Sequence, residues 1–141
     1  TTLSGGLDST IITAAVSTHT IQKIDTFSVV WPDQPELNEA IWVEEVVKYF
    51  NLNNIQVTLE IGEFQQLVDA VLNIQDEPFA SSTVLAQYVL YRKISEHNFK
   101  VVLDGQGADE VFLGYQNKFF FLGYQTSFLG SKINIEPNYF I

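Results

Sequence analysis

The sequence predicts an α/β fold with a doubly wound, mostly parallel sheet and helices on both faces. Three observations support this prediction. Short β-rich apolar runs alternate with segments of helical periodicity over the 141 residues, which is the order found in parallel sheets with crossover helices. Glycine-containing turns follow two of these runs, at residues 4–6 and 105–107. Ligands of such sheets bind beyond the carboxyl ends of the strands, so both turns are expected to face one crevice.

The first half of the chain is predicted to contain three strands and two helices. Pro32 stops the second strand, and Pro35 opens the second helix, whose apolar residues recur at helical spacing. A turn is expected at residues 51–54 before a run of strand-like alternation. The predicted elements are a strand at residues 1–3, a helix at 9–17, a strand at 25–31, a helix at 36–50 and a strand at 55–61.

The second half of the chain is predicted to contain three helices and one strand. An amphipathic helix covers residues 63–74, and Asp-Glu-Pro at residues 76–78 breaks it. Residues 83–97 are expected to form the next helix and residues 100–103 the fourth strand. A further helix begins near Ala108, directly after the second glycine turn.

Composition and charge exclude several classes of function. The net charge of −10 leaves no basic patch for nucleic acid. No apolar stretch could span a bilayer, no secretory signal is present and cysteine is absent, so we expect a cytoplasmic protein without disulfides. The chain also lacks methionine and ends on an apolar run. We therefore expect an excerpt of a longer protein, with its C-terminal part truncated.

Residues 4–9, Ser-Gly-Gly-Leu-Asp-Ser, form the most informative motif. The glycines let the backbone turn tightly and approach an anion, and the following helix offers unpaired N–H groups and its positive dipole end. Asp8 adds a carboxylate for the magnesium ion that accompanies a nucleoside triphosphate. The motif favours a pyrophosphate socket in an ATP-using site. The plainer alternative is a strand-to-helix turn capped by an Asp or Ser side chain.

Residues 104–110, Asp-Gly-Gln-Gly-Ala-Asp-Glu, form the second motif. Its plainer interpretation is a solvated acidic turn that caps a helix. Two glycines and three carboxylates directly after a buried strand are more than a cap requires. If Asp8 and Asp109 converge, they can share one magnesium ion with phosphate oxygens, because this hard cation prefers oxygen ligands.

The two glycine motifs resemble those of the synthetase domain of the asparagine synthase family. Three further matches to that family are Thr-Phe-Ser at 26–28, Asp-Glu-Pro at 76–78 and Gly114-Tyr115. That family belongs to the PP-loop ATP pyrophosphatases, whose fold is adenine nucleotide alpha hydrolase-like. The matching pieces come in the family's order. The resemblance implies an ATP-binding synthetase core at residues 1–116 and an incomplete helical C-terminal region at residues 117–141.

The resemblance implies a ligase that forms an amide in two steps with ATP and Mg²⁺. ATP first activates a carboxylate, most often the aspartate side chain, as an acyl-adenylate with release of pyrophosphate. Ammonia then displaces AMP. In full-length relatives a glutaminase domain makes the ammonia from glutamine, and that domain would precede Thr1. The sequence does not decide the oligomeric state, and a homodimer stays open.

The resemblance also implies roles for individual residues. Asp8 and Asp109 correspond to magnesium ligands, and Gln106 and Tyr115 to residues at the reacting groups. Asp104 stands where many relatives have Ser. The expected ATP-binding residues are Thr2, Leu3, Ser4, Gly5, Gly6, Asp8, Ser9, Val29, Asp104 and Gly105.

Two departures from the family pattern keep alternatives open. Gln106 stands where many relatives carry a Glu tied to adenylate formation, and glutamine cannot act as a base. Neither Lys118 nor Lys132 has the context of the family's downstream lysine, so that role is assigned to no residue here. One alternative is a related synthetase that closes a β-lactam ring or joins a carboxylate to an internal amine. The other is a degenerate nucleotide-binding module without turnover.

Overall fold

A computed structural model of the chain describes residues 1–32, 38–59, 61–79, 81–112 and Gly114. The chain forms two compact units that divide between Gly105 and Gln106. The elements of the first unit are α1 (Leu7–His19), β1 (Asp25–Val30), α2 (Ala40–Phe50), β2 (Asn53–Thr58), a 3-10 turn (Ile61–Glu63), α3 (Phe64–Gln75) and α4 (Thr83–Glu96). The second unit contributes α5 (Ala108–Phe112). Within the described residues, no helix combines the length and the apolar composition of a membrane span.

The sheet is parallel, as the sequence predicts. β1 and β2 pair in parallel from Asp25 opposite Asn53 to Val30 opposite Thr58. The segment 1–3 extends this pairing, because Thr2 forms a parallel bridge with Phe27. Parallel strands must be joined by crossover connections. Helix α1 forms the connection between segment 1–3 and β1, and α2 forms the connection between β1 and β2.

One predicted strand is absent from the described residues, and several predicted boundaries are wrong. Residues 100–103 do not form a regular strand in the described part of the chain; the Thr2 N–H donates to the Leu103 carbonyl at 3.0 Å, and one such bond is too little for a ladder. The turn predicted at 51–54 is shorter, because the Asn53 N–H already donates to Ile24 at 2.9 Å. The strand predicted to reach residue 61 ends at Thr58.

Helix ends follow local backbone chemistry more closely. Asn51 takes the left-handed conformation at φ 51°, and the Leu52 N–H donates to the Val47 carbonyl at 3.0 Å, which closes α2. Asp76, also left-handed at φ 58°, closes α3 where the sequence predicts a break. The predicted helix start at residue 36 is wrong: residues 38–39 are not helical and α2 begins at Ala40, while residues 36–37 lie outside the described part.

Apolar clusters cover both faces of the sheet, which confirms the predicted layering. Side chains of a strand alternate between faces. Phe27, Val29 and Val57 pack with residues of α3 and α4, whereas Leu3 packs with Val43 of α2. Removing this apolar surface from water supplies roughly 25 cal/mol per Å² toward folding. The first cluster contains Phe27, Val57, Leu67, Val71, Leu85, Val89, Leu90 and Ile94; the second contains Leu3, Val43 and Leu52.

Three polar side chains of the described strands, Thr26, Ser28 and Asn54, form a hydrogen-bonded cluster within the sheet. Thr26 and Ser28 of β1 are almost completely buried. The Asn54 side-chain amide of β2 donates to both hydroxyls at 2.9 Å. A buried hydroxyl without a partner costs about 1–3 kcal/mol, so Asn54 lets two polar side chains occupy an otherwise apolar layer.

Candidate nucleotide-binding site

The turn at residues 4–6 is held by hydroxyl groups rather than by a helix cap. Gly5 adopts φ +86°, which favours glycine. The Ser9 Oγ lies 3.0 Å from the Ser4 Oγ, accepts from the Ser4 N–H at 3.2 Å and donates to the Gly6 carbonyl at 3.1 Å. The Ser4 Oγ accepts from the Gly6 N–H at 3.2 Å. These bonds fix the path of the backbone into α1.

The N-terminus of α1 fits the anion-binding interpretation better than the capped-turn alternative. Gly6 is the N-cap residue, and no side chain in the described part of the chain caps the helix. N–H groups in the first turn of a helix have no carbonyl partner within it. Asp8 lies in this first turn. The N–H groups and the positive dipole end at this position suit a phosphate group.

Gly5 is also pressed against the beginning of α2. A Cβ at this position would lie 2.9 Å from the Trp42 Cβ, 3.2 Å from the Glu39 carbonyl and 3.3 Å from the Val43 N. Real Cβ atoms essentially never come within 3.0 Å of another atom, and the Trp42 Cβ is fixed to the helix backbone, so a larger residue would force α2 to shift. The glycine is required here both by its φ angle and by space.

Gly105 joins the segment after α4 to the start of α1. A Cβ at Gly105 would lie 2.9 Å from the Ser9 N and 3.0 Å from the Asp8 Cβ. The beginning of the second glycine turn therefore packs directly on the first turn, although the two lie far apart in the sequence. Gly105 therefore lies beside the first turn, and the expectation that both turns face one crevice stays a prediction.

Asp104 is held by a residue for which the sequence carries no signal. The Tyr91 hydroxyl of α4 donates to the Asp104 carboxylate at 2.6 Å. Burial, the larger cause, and this hydrogen bond raise the pKa of Tyr91 to about 12. Helical periodicity cannot distinguish Tyr91 from Tyr88, three residues earlier, because only the tertiary position of Asp104 decides which hydroxyl meets it.

The structure places three of the expected ATP-binding residues in or beside the core. Leu3 is 1% exposed and packs in the second cluster, and Val29 packs against the first. Thr2 bonds through its backbone N–H to Leu103. A nucleotide contact at Leu3 would therefore use main-chain atoms. The three assignments stay predictions.

The second unit contains the remaining expected site residues. Gly107 has φ +88°, and the Val111 N–H donates to its carbonyl at 3.2 Å at the start of α5. The Gly114 N–H donates to the Asp109 carbonyl at 2.9 Å, and a Cβ at Gly114 would overlap the Asp109 carboxylate. Gln106 is exposed. Tyr115 lies outside the described residues, and its role stays a prediction.

A family model described as asparagine synthase matches residues 1–130 of the chain. The chain belongs to the asparagine synthase family. The family's PP-loop α/β fold agrees with the parallel sheet, the helices on both faces and the glycine turn after segment 1–3. The resemblance that rested on short motifs is thus confirmed over most of the chain.

Asparagine synthase relatives include proteins from an archaeon, a bacterium and a plant. A Methanocaldococcus jannaschii protein provisionally named asparagine synthetase (glutamine-hydrolyzing) 2 is 34% identical over 150 aligned positions, covering 96% of this chain and 28% of that protein. Asparagine synthetase B (glutamine-hydrolyzing) of Escherichia coli is 30% identical over 130 positions, covering 80% and 23%. Asparagine synthetase (glutamine-hydrolyzing) 2 of Oryza sativa subsp. japonica is 30% identical over 125 positions, covering 80% and 20%. The chain spans about a quarter of their length.

The donor set in this member of the asparagine synthase family fits a magnesium ion that arrives with its nucleotide. Among the residues that the structure describes, no three or more His, Cys, Asp or Glu side chains form a metal cluster. Mg²⁺ commonly uses one or two carboxylates together with substrate phosphates and water. Asp8 offers one such carboxylate in the first turn of α1. The sharing of an ion between Asp8 and Asp109 stays a prediction.

A cavity of about 320 Å³ lies at the opposite end of the strands. Its lining includes Thr20, Lys23 and Asp25, which precede or begin β1. The glycine turns instead follow the carboxyl end of segment 1–3 and the segment that ends at Gly105. This cavity is therefore not assigned to the nucleotide.

Proposed function

We propose that this chain is the ATP-activating part of an asparagine-forming ligase. The observation that supports the proposal is the packing of Gly105, at the start of the second motif, on Asp8 and Ser9 of the first. Membership of the asparagine synthase family supports the reaction class. The names of the relatives support asparagine as product and glutamine as the source of ammonia.

The triphosphate is proposed to bind at the turn 4–6 and the N-terminus of α1. With a net charge of −10, the chain cannot attract ATP through its overall field. Binding then depends on local donors: backbone N–H groups of the turn and the hydroxyls of Ser4 and Ser9. Asp8 and Asp109 are proposed to bind Mg²⁺. This ion would neutralise charge on the phosphate oxygens as pyrophosphate leaves.

The proposed chemistry requires positioning and charge stabilisation rather than a protein nucleophile. A carboxylate oxygen of aspartate attacks the α-phosphorus of ATP, and the bond to pyrophosphate breaks. The nitrogen of ammonia then attacks the acyl carbon, loses a proton, and AMP leaves with the electron pair of the broken C–O bond. Oriented N–H groups at the start of α1 stabilise the charge that develops on the leaving oxygens.

Gln106 and Tyr115 are proposed to contact the reacting groups. Glutamine can hold a substrate by hydrogen bonds, but it cannot accept a proton as a base. We therefore propose that Gln106 orients the substrate in place of the Glu of many relatives. The same substitution favours a second candidate, a nucleotide-binding module that binds ATP without turnover.

Ammonia is proposed to come from a glutaminase domain of the full-length protein. The relatives carry glutamine hydrolysis in their names, and this chain covers only part of their length. We assign the complete protein to the cytoplasm, where ATP, aspartate and glutamine are available. The substrates are small molecules, and the acidic chain is not proposed to bind nucleic acid.

Pyrophosphate release by the full-length protein tests the proposal. We expect release that requires ATP, Mg²⁺ and aspartate together, and formation of asparagine when ammonia is added. Asp8→Asn should lower the rate by at least tenfold, because an amide is a poor magnesium ligand. Asp69→Asn on α3 serves as the matched control and should leave the rate within twofold, since Asp69 accepts from Gln65 on an exposed face.

Three outcomes separate the alternatives. Release with another carboxylate but not with aspartate would identify a related amide or β-lactam-forming synthetase. MgATP binding without any release would identify the degenerate module. Equal rates for Asp8→Asn and the unmodified protein would refute the metal role of Asp8.

A further inference from the structure

We infer that Tyr91 is a positioning residue for the nucleotide site: its hydroxyl holds the Asp104 carboxylate on α4 and thereby keeps Gly105 seated against the first glycine turn. This inference deepens the proposed function and rests on it. Tyr91 lies outside every motif that the sequence singles out, and its role follows from the geometry of the described residues.

The hydrogen bond between Tyr91 and Asp104 is short, and its donor lies on a packed helix that can fix the position of the carboxylate. Its length of 2.6 Å falls in the range of charge-assisted O–H to carboxylate bonds. The helix that bears the donor, α4, is held in place because its residues Leu90 and Ile94 are buried in the first apolar cluster. Sites that are held by packed helices keep their geometry better than sites held by loops.

A shift of Asp104 would also shift Gly105 and so displace the residues of the first turn that pack against it. Gly105 follows Asp104 in the chain, and the space beside it is filled by the Ser9 N and the Asp8 Cβ. Ser9 in turn holds the turn through its bonds to Ser4 and Gly6. A continuous set of contacts therefore leads from the Tyr91 hydroxyl to the groups that are proposed to bind the phosphates.

Charge gives a second reason for holding Asp104. A carboxylate that turns toward a bound triphosphate would repel it, and this repulsion is stronger where water is partly excluded. Asp104 is only partly exposed. A hydrogen bond from Tyr91 keeps the negative charge directed toward α4, so the site can contain an acidic residue without losing affinity for ATP.

A double-mutant cycle in the full-length protein tests this inference. The variants are Tyr91→Phe, Asp104→Ser and both together, with MgATP affinity measured by calorimetry and KM measured separately for ATP and aspartate. Tyr91→Phe should weaken MgATP binding and raise the KM for ATP on the order of tenfold, as expected for loss of a charge-assisted hydrogen bond. The KM for aspartate should change less than twofold.

The cycle distinguishes positioning from packing. In the Asp104→Ser background, Tyr91→Phe should change MgATP affinity less than twofold, because the carboxylate that it holds is gone. Tyr88→Phe is the matched control, because it removes a hydroxyl from the same helix. Tyr88 packs against the first cluster, and the centroid of its ring lies 5.9 Å from the Arg92 Cζ. Its MgATP affinity should equal that of the unmodified protein.

Each result has one meaning. An equal loss for Tyr91→Phe in both backgrounds would overturn the inference and leave Tyr91 as a packing residue. Unchanged MgATP affinity in Tyr91→Phe would overturn it as well, while the proposed function stands. An unmodified protein that binds no MgATP would refute the proposed function, and the inference with it.

Discussion

The two glycine turns, which we propose to serve one site, are held in different ways. In the first turn, Ser4 and Ser9 hold the backbone through hydroxyl bonds over five residues or fewer. At the second turn, Asp104 is held by Tyr91 from another element, and Gly105 is positioned by the backbone of Asp8 and Ser9. The first turn is thus encoded locally, whereas the position of the second depends on contacts that form only when the chain folds.

The largest effect is expected from Gly5→Ala. This substitution places a side chain at φ +86° and only 2.9 Å from the Trp42 Cβ. Backbone strain costs roughly 1–2 kcal/mol and overpacking costs a further 1–3 kcal/mol. We expect the free energy of unfolding to fall by about 3 kcal/mol in urea titrations.

Gly107→Ala is the matched control for Gly5→Ala. Gly107 has nearly the same φ, +88°, but no described residue approaches its Cβ position within 4 Å. Strain alone should therefore lower the free energy of unfolding by about 1 kcal/mol. An equal fall in the free energy of unfolding for both variants would show that α2 does not pack tightly against Gly5. The proposed difference between the two turns would then be refuted.

Gly105→Ala should weaken both folding stability and MgATP binding. The backbone at Gly105 does not need a left-handed conformation, so the added methyl group acts only by displacing Asp8 and Ser9. We expect a loss of about 1–3 kcal/mol in the free energy of unfolding and at least tenfold weaker MgATP binding by calorimetry. Gly62→Ala, where no described atom lies within 4 Å, should change neither quantity. MgATP affinity that survives Gly105→Ala would contradict the shared site.

The smallest effect concerns pH. The pKa of Tyr91 is raised to about 12, above its ordinary value of 10.0. Below pH 10 Tyr91 is protonated in both the folded and the unfolded chain. As pH rises from 10 to 12, the unfolded chain ionises first, so the stabilisation by this hydroxyl is lost over that window. The urea midpoint should therefore fall less with pH in Tyr91→Phe than in the unmodified protein. Parallel curves would show that Asp104 does not hold the hydroxyl.

Sequence patterns predict the structure correctly where it depends on residues that are close together in the chain. The helices now seen as α1 to α5 were all predicted, because apolar spacing and the break at residues 76–78 are local signals. The predicted strand at 100–103 failed because pairing depends on what its neighbour offers, and the described contact with segment 1–3 is a single bond at Thr2. The early start of β2 at Asn53 was missed for the same reason, since its first bond reaches back to Ile24.

Local patterns of residues specify the α/β class, the glycine turn at residues 4–6 and the family, because glycines, hydroxyls and a helix start act over a few residues. Tertiary structure alone decided that Gly105 meets Ser9, that α2 presses on Gly5 and that Tyr91 rather than Tyr88 holds Asp104. These contacts join residues distant in the chain. Their partners are chosen by how the packed helices and strands place them in space, which no local pattern of residues can specify.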